Sequence, residues 1–460
     1  MMLNGHHILV LGLGESGLAM AQWCTRNRAA VRVADTRSEP PYLAELRRTT
    51  AAEFVSGEFE KSLLDGIDAV ALSPGLSPGM LVLIHARAQG IPVVGEIELF
   101  ARALRALGGR DRTRVIAITG TNGKTTTTAL VGHLCRSAGK VTGVAGNISP
   151  AALTALMACE DAGKLPEVWV LELSSFQLET LESLNADAAA VLNVSDDHLD
   201  RYIDVDDYAT AKARILFNAG VQVLNRQDVR VRHMAVPDRP VVSFGLDAPG
   251  AAPDFGLREN KGEPWIVRGD SFLLPVSQLP VSGLHNAANP MAALALCSAI
   301  GLDAVALLPA LRAFKGLPHR VERIAEIAGV TYFDDSKGTN VGATVAALEG
   351  LGCKVVIILG GDGKGQDFSP LKSAIATHGR AAVLIGRDGP KIASSIAGCG
   401  VPLLKANDMD DAVRLAADAA KPGDAVLLSP ACASFDMFRN YEHRAQVFCD
   451  AVRHLTGAVA

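Results

Sequence analysis

The stretch Ala117–Leu130 reads AITGTNGKTTTTAL and decides how the surrounding chain folds. The residues at its start, Val115–Ile118, are apolar and largely β-branched, which predicts a buried strand. The residues that follow the glycines, Thr125–Arg136, are expected to form a helix. A strand, a glycine-containing loop and a Lys-Thr pair at a helix start together form a phosphate cradle, because backbone N–H groups face the anion.

Two side chains of this loop indicate what it binds. Lys124 is expected to reach the outer phosphates of a nucleotide, and the hydroxyl of Thr125 is expected to sit on Mg²⁺. The spacing is unusual, because Gly120 and Gly123 enclose only two residues where the common loop has four. A glycine-rich turn before an ordinary helix therefore stays open as an alternative at this point.

The composition is that of a soluble α/β protein, with 49% apolar and 20% charged residues. The eight cysteines lack Cys-x-x-Cys or metal-finger spacing, so we expect reduced thiols in a cytoplasmic protein. A net charge of -5 does not favour nucleic-acid binding. No segment is apolar enough over a sufficient length to span a bilayer, and the N-terminus lacks the positive region of a signal peptide.

The order of the patterns predicts three domains. Strands rich in glycine, alanine and valine alternate with helical patterns, which indicates parallel sheets flanked by helices. Polar, Gly-containing junctions at Ala106–Arg114 and Phe314–Arg320 divide the 460 residues into three parts. We expect a Rossmann-like domain over 1–108, a central phosphate-loop domain over 109–316 and a second Rossmann-like domain over 317–460. The stretch Ala248–Lys261 is expected to be a surface loop.

The first part contains a second glycine-rich turn, Gly12-x-Gly14-x-x-Gly17, between a strand and a helix. Asp35 ends the next strand, where a dinucleotide site places its ribose-binding acid. An NAD-dependent dehydrogenase, a domain for another nucleotide such as a UDP-linked substrate, and a turn without a ligand all fit this pattern. Against the dehydrogenase, no later stretch resembles a hydride-transfer site. The turn Ala71–Gly79 follows a further strand and is expected at the same ligand-binding sheet edge, and a plain Pro-Gly loop fits it equally well.

Two acidic strand ends follow the phosphate loop. Glu172 ends the apolar run Val168–Leu171, where a carboxylate is well placed to hold Mg²⁺. Asp196, Asp197 and His198 follow the next apolar strand and indicate divalent-metal or phosphate chemistry. A helix that begins at these acidic residues is the alternative.

Polar residues later in the chain are individually ambiguous. Lys212 by itself is typical of a solvated helix residue, and Asn286 and Asn289 could bind adenine or cap a helix. In the last part, three strands run into loops that carry Lys337, Lys364 and Ser434. Because the carboxyl ends of parallel strands meet at one edge, these loops predict an anion site.

The ordered set of these motifs resembles the Mur ligases, a family of ATP-dependent, amide-forming enzymes of peptidoglycan precursor synthesis. The resemblance spans essentially the whole chain and includes the shortened phosphate loop. The matching motifs are GTNGKTT, LELSSFQL, NVSDDHLDRY, GLHNAANPMAA, GLPHR, DDSKGTNV, LGGDGKGQDF and LLSPACASFDMFRNYEHRA. The last three are more similar to the branch that adds D-glutamate than to the branches that add alanine or a diamino acid.

The resemblance implies an activity, its cofactors and its partners. It implies a cytoplasmic, monomeric ligase that adds D-glutamate to UDP-N-acetylmuramoyl-L-alanine, with ATP and two Mg²⁺ ions. A Mur-type ligase with another amino-acid specificity is the nearest alternative, and a nucleotide-binding switch without turnover is a more distant one.

The family pattern also implies roles for individual residues. ATP would be bound by Gly120, Thr121, Asn122, Gly123, Lys124, Thr125, Thr126, Asn286, Asn289, Arg320 and Asp335. The metal ligands would be Thr125, Glu172, His198 and Lys212, with Lys212 carbamylated by CO₂, and the catalytic residues Lys124, His198 and Lys212. The uridine nucleotide would be bound by Ser16, Asp35, Thr36, Arg37 and Ser73, and the muramoyl-alanine part by Asn147 and Ser174. The incoming glutamate would be bound by Lys337, Thr339, Lys364, Ser434 and Phe435. Glu15 also falls at the nucleotide site, and its side chain is expected to point away from the diphosphate or to shape the uridine contacts.

Overall fold

The computed structural model describes residues 3–108, 113–279, 287–317 and 319–457, which form three α/β units, each built on its own sheet. The predicted architecture of three domains with mostly parallel sheets is confirmed. The domain boundaries stay predictions.

The N-terminal domain has a parallel five-stranded sheet of order β3-β2-β1-β4-β5. Its strands are β1 (His7–Leu11), β2 (Ala30–Asp35), β3 (Glu53–Ser56), β4 (Ala69–Leu72) and β5 (Val93–Gly95). Its helices are α1 (Glu15–Arg26), α2 (Leu43–Thr49), α3 (Leu81–Ala88) and α4 (Glu96–Ala106), with a 3-10 helix at Lys61–Leu64.

The central domain has a nine-stranded sheet of order β14-β13-β12-β11-β10-β9-β6-β8-β7. Its strands are β6 (Arg114–Thr119), β7 (Thr142–Gly146), β8 (Val168–Glu172), β9 (Ala188–Val191), β10 (Val221–Asn225), β11 (Val241–Phe244), β12 (Phe255–Asn260), β13 (Glu263–Arg268) and β14 (Ser271–Pro275). Its helices are α5 (Lys124–Ser137), α6 (Ala152–Asp161), α7 (Ser175–Leu178), α8 (Val205–Ala213), α9 (Val229–His233), α10 (Ala288–Ala299) and α11 (Leu308–Ala313), with 3-10 helices at Arg214–Leu216 and Val276–Gln278.

The sequence explains the middle of this sheet and misses the strand β12. The strand before the phosphate loop, β6, pairs in parallel with β8 and β9 and is buried on both faces, as its apolar run predicts. The expectation of a surface loop over Ala248–Lys261 is wrong in its second half, because β12 pairs there with β11 and antiparallel with β13. Phe255 and Leu257 lie in the core, and the glycine between them and the polar residues after them hide that pattern.

The C-terminal domain has a six-stranded sheet of order β15-β16-β20-β17-β18-β19, in which β15 alone runs antiparallel to its neighbour. Its strands are β15 (Glu322–Ile327), β16 (Val330–Asp334), β17 (Val355–Gly360), β18 (Gly379–Ile385), β19 (Leu403–Lys405) and β20 (Ala425–Leu428). Its helices are α12 (Val341–Gly350), α13 (Leu371–His378), α14 (Gly389–Ser395), α15 (Met409–Ala419) and α16 (Tyr441–Gly457).

The N-terminal and central domains share one hydrophobic core. A continuous cluster of buried side chains runs from β1 and α4 of the first domain into β8 and α8 of the second. Phe100 meets Trp169 edge-on across this interface, with ring centroids 5.2 Å apart. The two clusters that flank the third sheet are formed by residues of the C-terminal domain. Within the described ranges, no helix is both long and apolar enough to cross a membrane.

Candidate active site

The phosphate loop connects β6 to α5, and its glycines have a steric reason. Gly123, at the N-cap of α5, has a φ of 81°. A Cβ atom at this position would lie 2.4 Å from Oδ1 of Asn289 on α10. Glycine therefore permits both the left-handed backbone and the close approach of α10. The loop and Asn289, which are far apart in sequence, are brought together as the family pattern implies.

Lys124 and Lys212 converge on one backbone oxygen. Lys124 Nζ donates to the carbonyl oxygens of Gly120 and Thr121, both at 2.8 Å. Lys212 Nζ, from α8, donates to the same Gly120 oxygen at 3.0 Å. The two amines thus lie beside each other at the loop.

Lys212 is buried to 1% exposure, which corrects its interpretation as a solvated helix residue. Its Nζ lies 4.3 Å from the centroid of the Tyr208 ring. Burial, and then the neighbouring charge of Lys124, hold the pKa of Lys212 well below its usual range. A lysine in this environment tends toward the neutral amine, which is the nucleophilic form.

Asn193 braces the loop, although its sequence position at the end of a strand gave it no role. Its Oδ1 accepts from the Asn122 N–H at 2.7 Å, and its Nδ2 donates to the Asn122 carbonyl at 3.1 Å. The Asn193 carbonyl also accepts from the Thr121 N–H at 2.9 Å. A side-chain amide at the strand end beside a phosphate loop is the signal that could have identified it.

Glu172 ends β8 with its carboxylate 1% exposed. Oε1 accepts from Asn147 Nδ2 at 2.7 Å, whereas no described atom hydrogen-bonds to Oε2. A buried carboxylate oxygen normally has a partner, so this oxygen fits a cation ligand. Asn147 itself orients the carboxylate, and the predicted strand-end acid is placed beside the loop.

His198 lies in a turn, and the helix considered as an alternative does not form there. The described backbone becomes helical only at Val205, where Asp204 caps α8. His198 has a φ of 57°, and its ring meets Phe176 edge-on with centroids 4.8 Å apart. Burial lowers the pKa of His198, which favours the neutral imidazole that ligates metals.

The carboxyl edge of the first sheet brings the predicted nucleotide residues together. Asp35 accepts from the Leu13 N–H at 2.7 Å and pairs with Arg37 through Nε and one terminal nitrogen, each at 2.8 Å. The Arg37 hydrogen bonds, despite burial, lower the pKa of Asp35 to about 2. Both carboxylate oxygens therefore hold the loops of the site, so Asp35 differs from the free acid of a dinucleotide-binding site.

The other residues of this edge have mixed environments. Ser73 is buried and donates to the Gly12 carbonyl at 2.7 Å, whereas Thr36 is exposed and Ser16 half-buried. Glu15 turns toward the central domain, where its Oε1 accepts from the Ser149 hydroxyl at 2.7 Å and the Ala151 N–H at 2.9 Å.

A cavity of about 480 Å³ lies between the central and C-terminal domains. Its walls include Asn122, Gly123, Thr126, Asn289, Arg320 and Asp335. Asn286 lies outside the described residues. The apolar part of the wall includes Leu130, Phe314 and Leu317, so the cavity combines apolar surface that suits a flat base with polar groups that suit phosphates.

Arg320 reaches this cavity from the junction between the two domains. The preceding residue, His319, is held to the third sheet because its Nδ1 lies 2.6 Å from Oδ2 of the buried Asp334. A terminal nitrogen of Arg320 then donates to Thr125 Oγ1 at 3.4 Å. Asp335 accepts from the Ser429 hydroxyl at 2.7 Å, and burial raises the pKa of Asp335 to about 7.

The loops at the carboxyl edge of the third sheet carry the predicted glutamate-binding residues. Lys337 is half-buried above the Tyr441 ring, and Lys364 is exposed with a φ of 47°. Ser434 is buried and Phe435 is 70% exposed.

Gln366, which received no role from the sequence, connects these loops. Its Nε2 donates to the carbonyls of Gly363 at 3.1 Å and of Thr339 and Ala431 at 3.4 Å. Its Oε1 accepts from the Val341 N–H at 3.2 Å. One amide therefore ties together three loops of the site.

Ser174, a predicted substrate residue, also has a local structural role. It caps the short helix α7 in a capping box with Gln177. Its hydroxyl thus already has a structural function at the end of β8, beside Glu172.

Three sequence profiles of known domains match the chain in order. Residues 6–95 match the Mur ligase MurD-like N-terminal domain, residues 118–297 the Mur ligase middle domain, and residues 319–432 the Mur ligase glutamate ligase domain. Among curated relatives, UDP-N-acetylmuramoylalanine–D-glutamate ligase of Aromatoleum aromaticum is 58% identical, covering 98% of both chains. The protein of the same name from Nitrosospira multiformis is 54% identical, covering 100% of this chain and 98% of its own.

Solved structures agree on the fold. UDP-N-acetylmuramate–alanine ligase MurC from Thermotoga maritima superposes with a TM-score of 0.59 at 20% identity, over 98% of this chain and 99% of its own. MurF from Acinetobacter baumannii gives a TM-score of 0.61 at 18% identity, over 98% and 91%. With three domain profiles in the same order and full-length relatives above 50% identity, the chain belongs to the Mur ligase family.

Proposed function

We propose that this chain is an ATP-dependent ligase that joins the amine of D-glutamate to the alanine carboxyl of UDP-N-acetylmuramoyl-L-alanine, a step of peptidoglycan precursor synthesis. The observation that carries the proposal is the 58% identity, over 98% of the chain, to a protein named for that reaction. We further propose that it acts as a cytoplasmic monomer.

The three domains would divide the substrates among them. The uridine nucleotide would bind at the carboxyl edge of the first sheet, beside Asp35 and Ser73, and the muramoyl-alanine part would reach Asn147 and Ser174. ATP would occupy the cavity between the phosphate loop and Asp335. The incoming glutamate would bind at the edge of the third sheet, where Lys337, Thr339, Lys364, Ser434 and Phe435 lie. The two lysines and Ser434 suit its two carboxylates, because ammonium and hydroxyl groups donate charge-assisted hydrogen bonds.

The reaction follows from the weakness of a carboxylate as an electrophile. One carboxylate oxygen attacks the γ-phosphorus of ATP, the bond to ADP breaks, and an acyl phosphate forms. The glutamate amine then attacks the acyl carbon, phosphate leaves, and the amine loses one proton. Lys124 would hold the γ-phosphate during the first step, and closure of the C-terminal domain would keep water from the acyl phosphate.

Mg²⁺ fits the residues that this family pattern assigns to it. Glu172 offers an oxygen without a described partner, Thr125 offers a buried hydroxyl and His198 is held toward its neutral form. Bound Mg²⁺ would neutralise the charge of the transferring phosphoryl group. We propose two ions, the first held by Thr125 and Glu172 and the second by His198 and Lys212.

Lys212 would become a metal ligand through a covalent change. Its neutral amine attacks CO₂, an N–C bond forms and one proton is released, which yields a carbamate. Burial of Lys212 favours the neutral amine that this step requires.

The test measures phosphate release with ATP, Mg²⁺ and UDP-N-acetylmuramoyl-L-alanine. Four reactions contain D-glutamate, L-glutamate, L-alanine or no amino acid. Release that requires D-glutamate supports the proposal, and release with another amino acid would keep the family but change the specificity. Lys124→Ala should remove the release, whereas Lys140→Ala, which alters a surface lysine paired with Glu167, should not. Bound ATP without release in any reaction would contradict catalysis.

A further inference from the structure

Arg201 lies in the turn that carries His198, and the turn fixes the two residues relative to each other. The His198 carbonyl accepts from the N–H groups of Arg201 at 2.9 Å and Tyr202 at 3.1 Å. The left-handed backbone at His198 closes this turn. The backbone of Arg201 is therefore held directly against that of His198.

The Arg201 guanidinium connects two domains. A terminal nitrogen donates to Glu179 Oε2 of the central domain at 2.5 Å. The same nitrogen donates to the Leu76 carbonyl of the N-terminal domain at 2.9 Å. The two charged side chains are only 12% and 13% exposed, so water screens this pair weakly.

The Leu76 turn belongs to the nucleotide edge of the first sheet. The Leu76 N–H donates to the Ser73 carbonyl at 3.0 Å, and the Ser73 hydroxyl holds the Gly12 carbonyl of the glycine-rich turn. Arg201 thus contacts the N-terminal domain within one turn of the residues expected to bind the uridine nucleotide.

An aromatic cluster also contacts the guanidinium. The carbon at its centre sits 4.6 Å from the centroid of the Phe176 ring, which in turn meets the His198 ring edge-on. Tyr202 stacks on Phe176, with centroids 6.0 Å apart. The ring of His198 and the guanidinium of Arg201 therefore share one support, Phe176.

We infer that Arg201 is a positioning residue that holds the Ser73–Leu76 turn in register with the His198 turn. It thereby strengthens binding of the UDP-linked substrate without touching it. This inference rests on the proposed function, because the substrate is the one proposed above. Loss of the guanidinium leaves Glu179 nearly buried without its ion pair and releases the Leu76 carbonyl.

The test compares Arg201→Met, which keeps an unbranched apolar stem, with Glu179→Gln, which keeps an acceptor without its charge. The control is Arg230→Met, because Arg230 pairs with Asp206 at the surface, with side chains 47% and 79% exposed.

Calorimetry in metal-free buffer gives the Kd for UDP-N-acetylmuramoyl-L-alanine, and steady-state kinetics give KM for each substrate. Arg201→Met should raise this Kd at least about tenfold, as expected for loss of a largely desolvated charge pair. Glu179→Gln should give a smaller rise, and Arg230→Met should change it less than about twofold. KM for ATP and for D-glutamate should stay the same.

A second measurement keeps the inference separate from the identity of the substrate. Amide hydrogen exchange of the peptide that contains Ser73–Gly79 should be faster in Arg201→Met than in the unmodified chain. Should Arg201→Met fail to fold, Arg201→Lys, which loses the fork of donors, replaces it. Unchanged exchange in this peptide, or an unchanged Kd in a folded variant, would overturn the inference. Absence of binding by the unmodified chain would instead count against the proposed function, and the exchange result would still decide the role of Arg201.

Discussion

Glu96, at the interface of the N-terminal and central domains, should make the stability of this protein depend on pH. Its side chain is 2% exposed, and Oε1 accepts from the Leu153 N–H at 2.7 Å. Leu153 lies in the first turn of α6, whose N-cap residue is Ala151 and has no side-chain cap. Glu96 therefore supplies from another domain the acceptor that this helix start lacks. No described atom hydrogen-bonds to its other oxygen.

The size of the effect follows from the pKa of this carboxyl. Burial raises the pKa of Glu96 from 4.5 to about 7. Because the folded protein holds this proton more tightly than the unfolded chain, the stabilising contribution is complete below about pH 4.5. It is lost as the pH rises toward 7, by about 3 kcal/mol in total. Glu96→Gln keeps an oxygen for the Leu153 N–H and removes the titration.

The assay is thermal unfolding between about pH 4.5 and pH 8. We expect the midpoint of Glu96→Gln to rise relative to that of the unmodified chain as the pH increases, and the difference to level off above about pH 7. Glu98→Gln is a matched control with the opposite sign. Glu98 is also buried and also accepts from the central domain, through the N–H groups of Glu182 and Ser183.

The pKa of Glu98 is lowered, because these hydrogen bonds and Arg102 outweigh its burial. Its contribution is therefore present above about pH 4.5 and is lost as the pH falls, so Glu98→Gln should destabilise most at neutral pH. If the midpoints of Glu96→Gln and the unmodified chain keep a constant difference over the whole range, the raised pKa and the reasoning from burial are refuted.

Three further predictions concern the site. Lys212→Ala should lower turnover at least about hundredfold, and added formate or acetate should restore part of it if a carbamate is the ligand; full activity without additives would contradict the carbamate. Glu172→Gln should raise the half-saturating Mg²⁺ concentration about tenfold in the phosphate-release assay, and an unchanged Mg²⁺ curve would remove Glu172 from the metal site. Gln366→Ala should raise KM for D-glutamate about fivefold through loss of its contacts among three loops, with KM for ATP unchanged; equal rises in both would indicate a general loss of structure.

The parts of this protein that are local in sequence could be predicted from it. A strand, a short glycine loop and Lys124 at a helix start are consecutive, so their arrangement depends on backbone preferences alone. The convergence of Glu172 and His198 near the loop was also predictable, because parallel strands end at one edge. The strand β12 was missed, because its polar residues mask a short alternation that becomes a strand through pairing with β13 and β11.

The environment of each side chain could not be predicted in the same way. The sequence around Lys212 is typical of a solvated helix. In the structure, however, the side chain is buried against the phosphate loop, whose Gly120 lies 92 residues earlier in the chain. The family resemblance gave it a role, whereas its burial depends on how α8 packs against the phosphate loop. Asn193, Gln366 and Arg201 were missed for the same reason, since each acts by connecting segments that are distant in sequence.

The two domain interfaces differ in a way that bears on how the site works. The N-terminal and central domains share an apolar core. Glu15, Glu96 and Glu98 of the first domain accept hydrogen bonds from backbone N–H groups of the second. Relative motion of these two domains would therefore expose apolar surface and leave buried carboxylates unpaired. Across the cavity, the described contacts between the central and C-terminal domains include a 3.4 Å bond from Arg320 to Thr125 and a 3.0 Å bond from Asn340 to Asn122. When the two domains separate, hydrogen bonds between such polar groups can be exchanged for hydrogen bonds to water at a small net cost. We therefore expect the C-terminal domain to close over the proposed ATP and glutamate sites by moving relative to the central domain, while the proposed UDP-substrate site moves as one body with the phosphate loop.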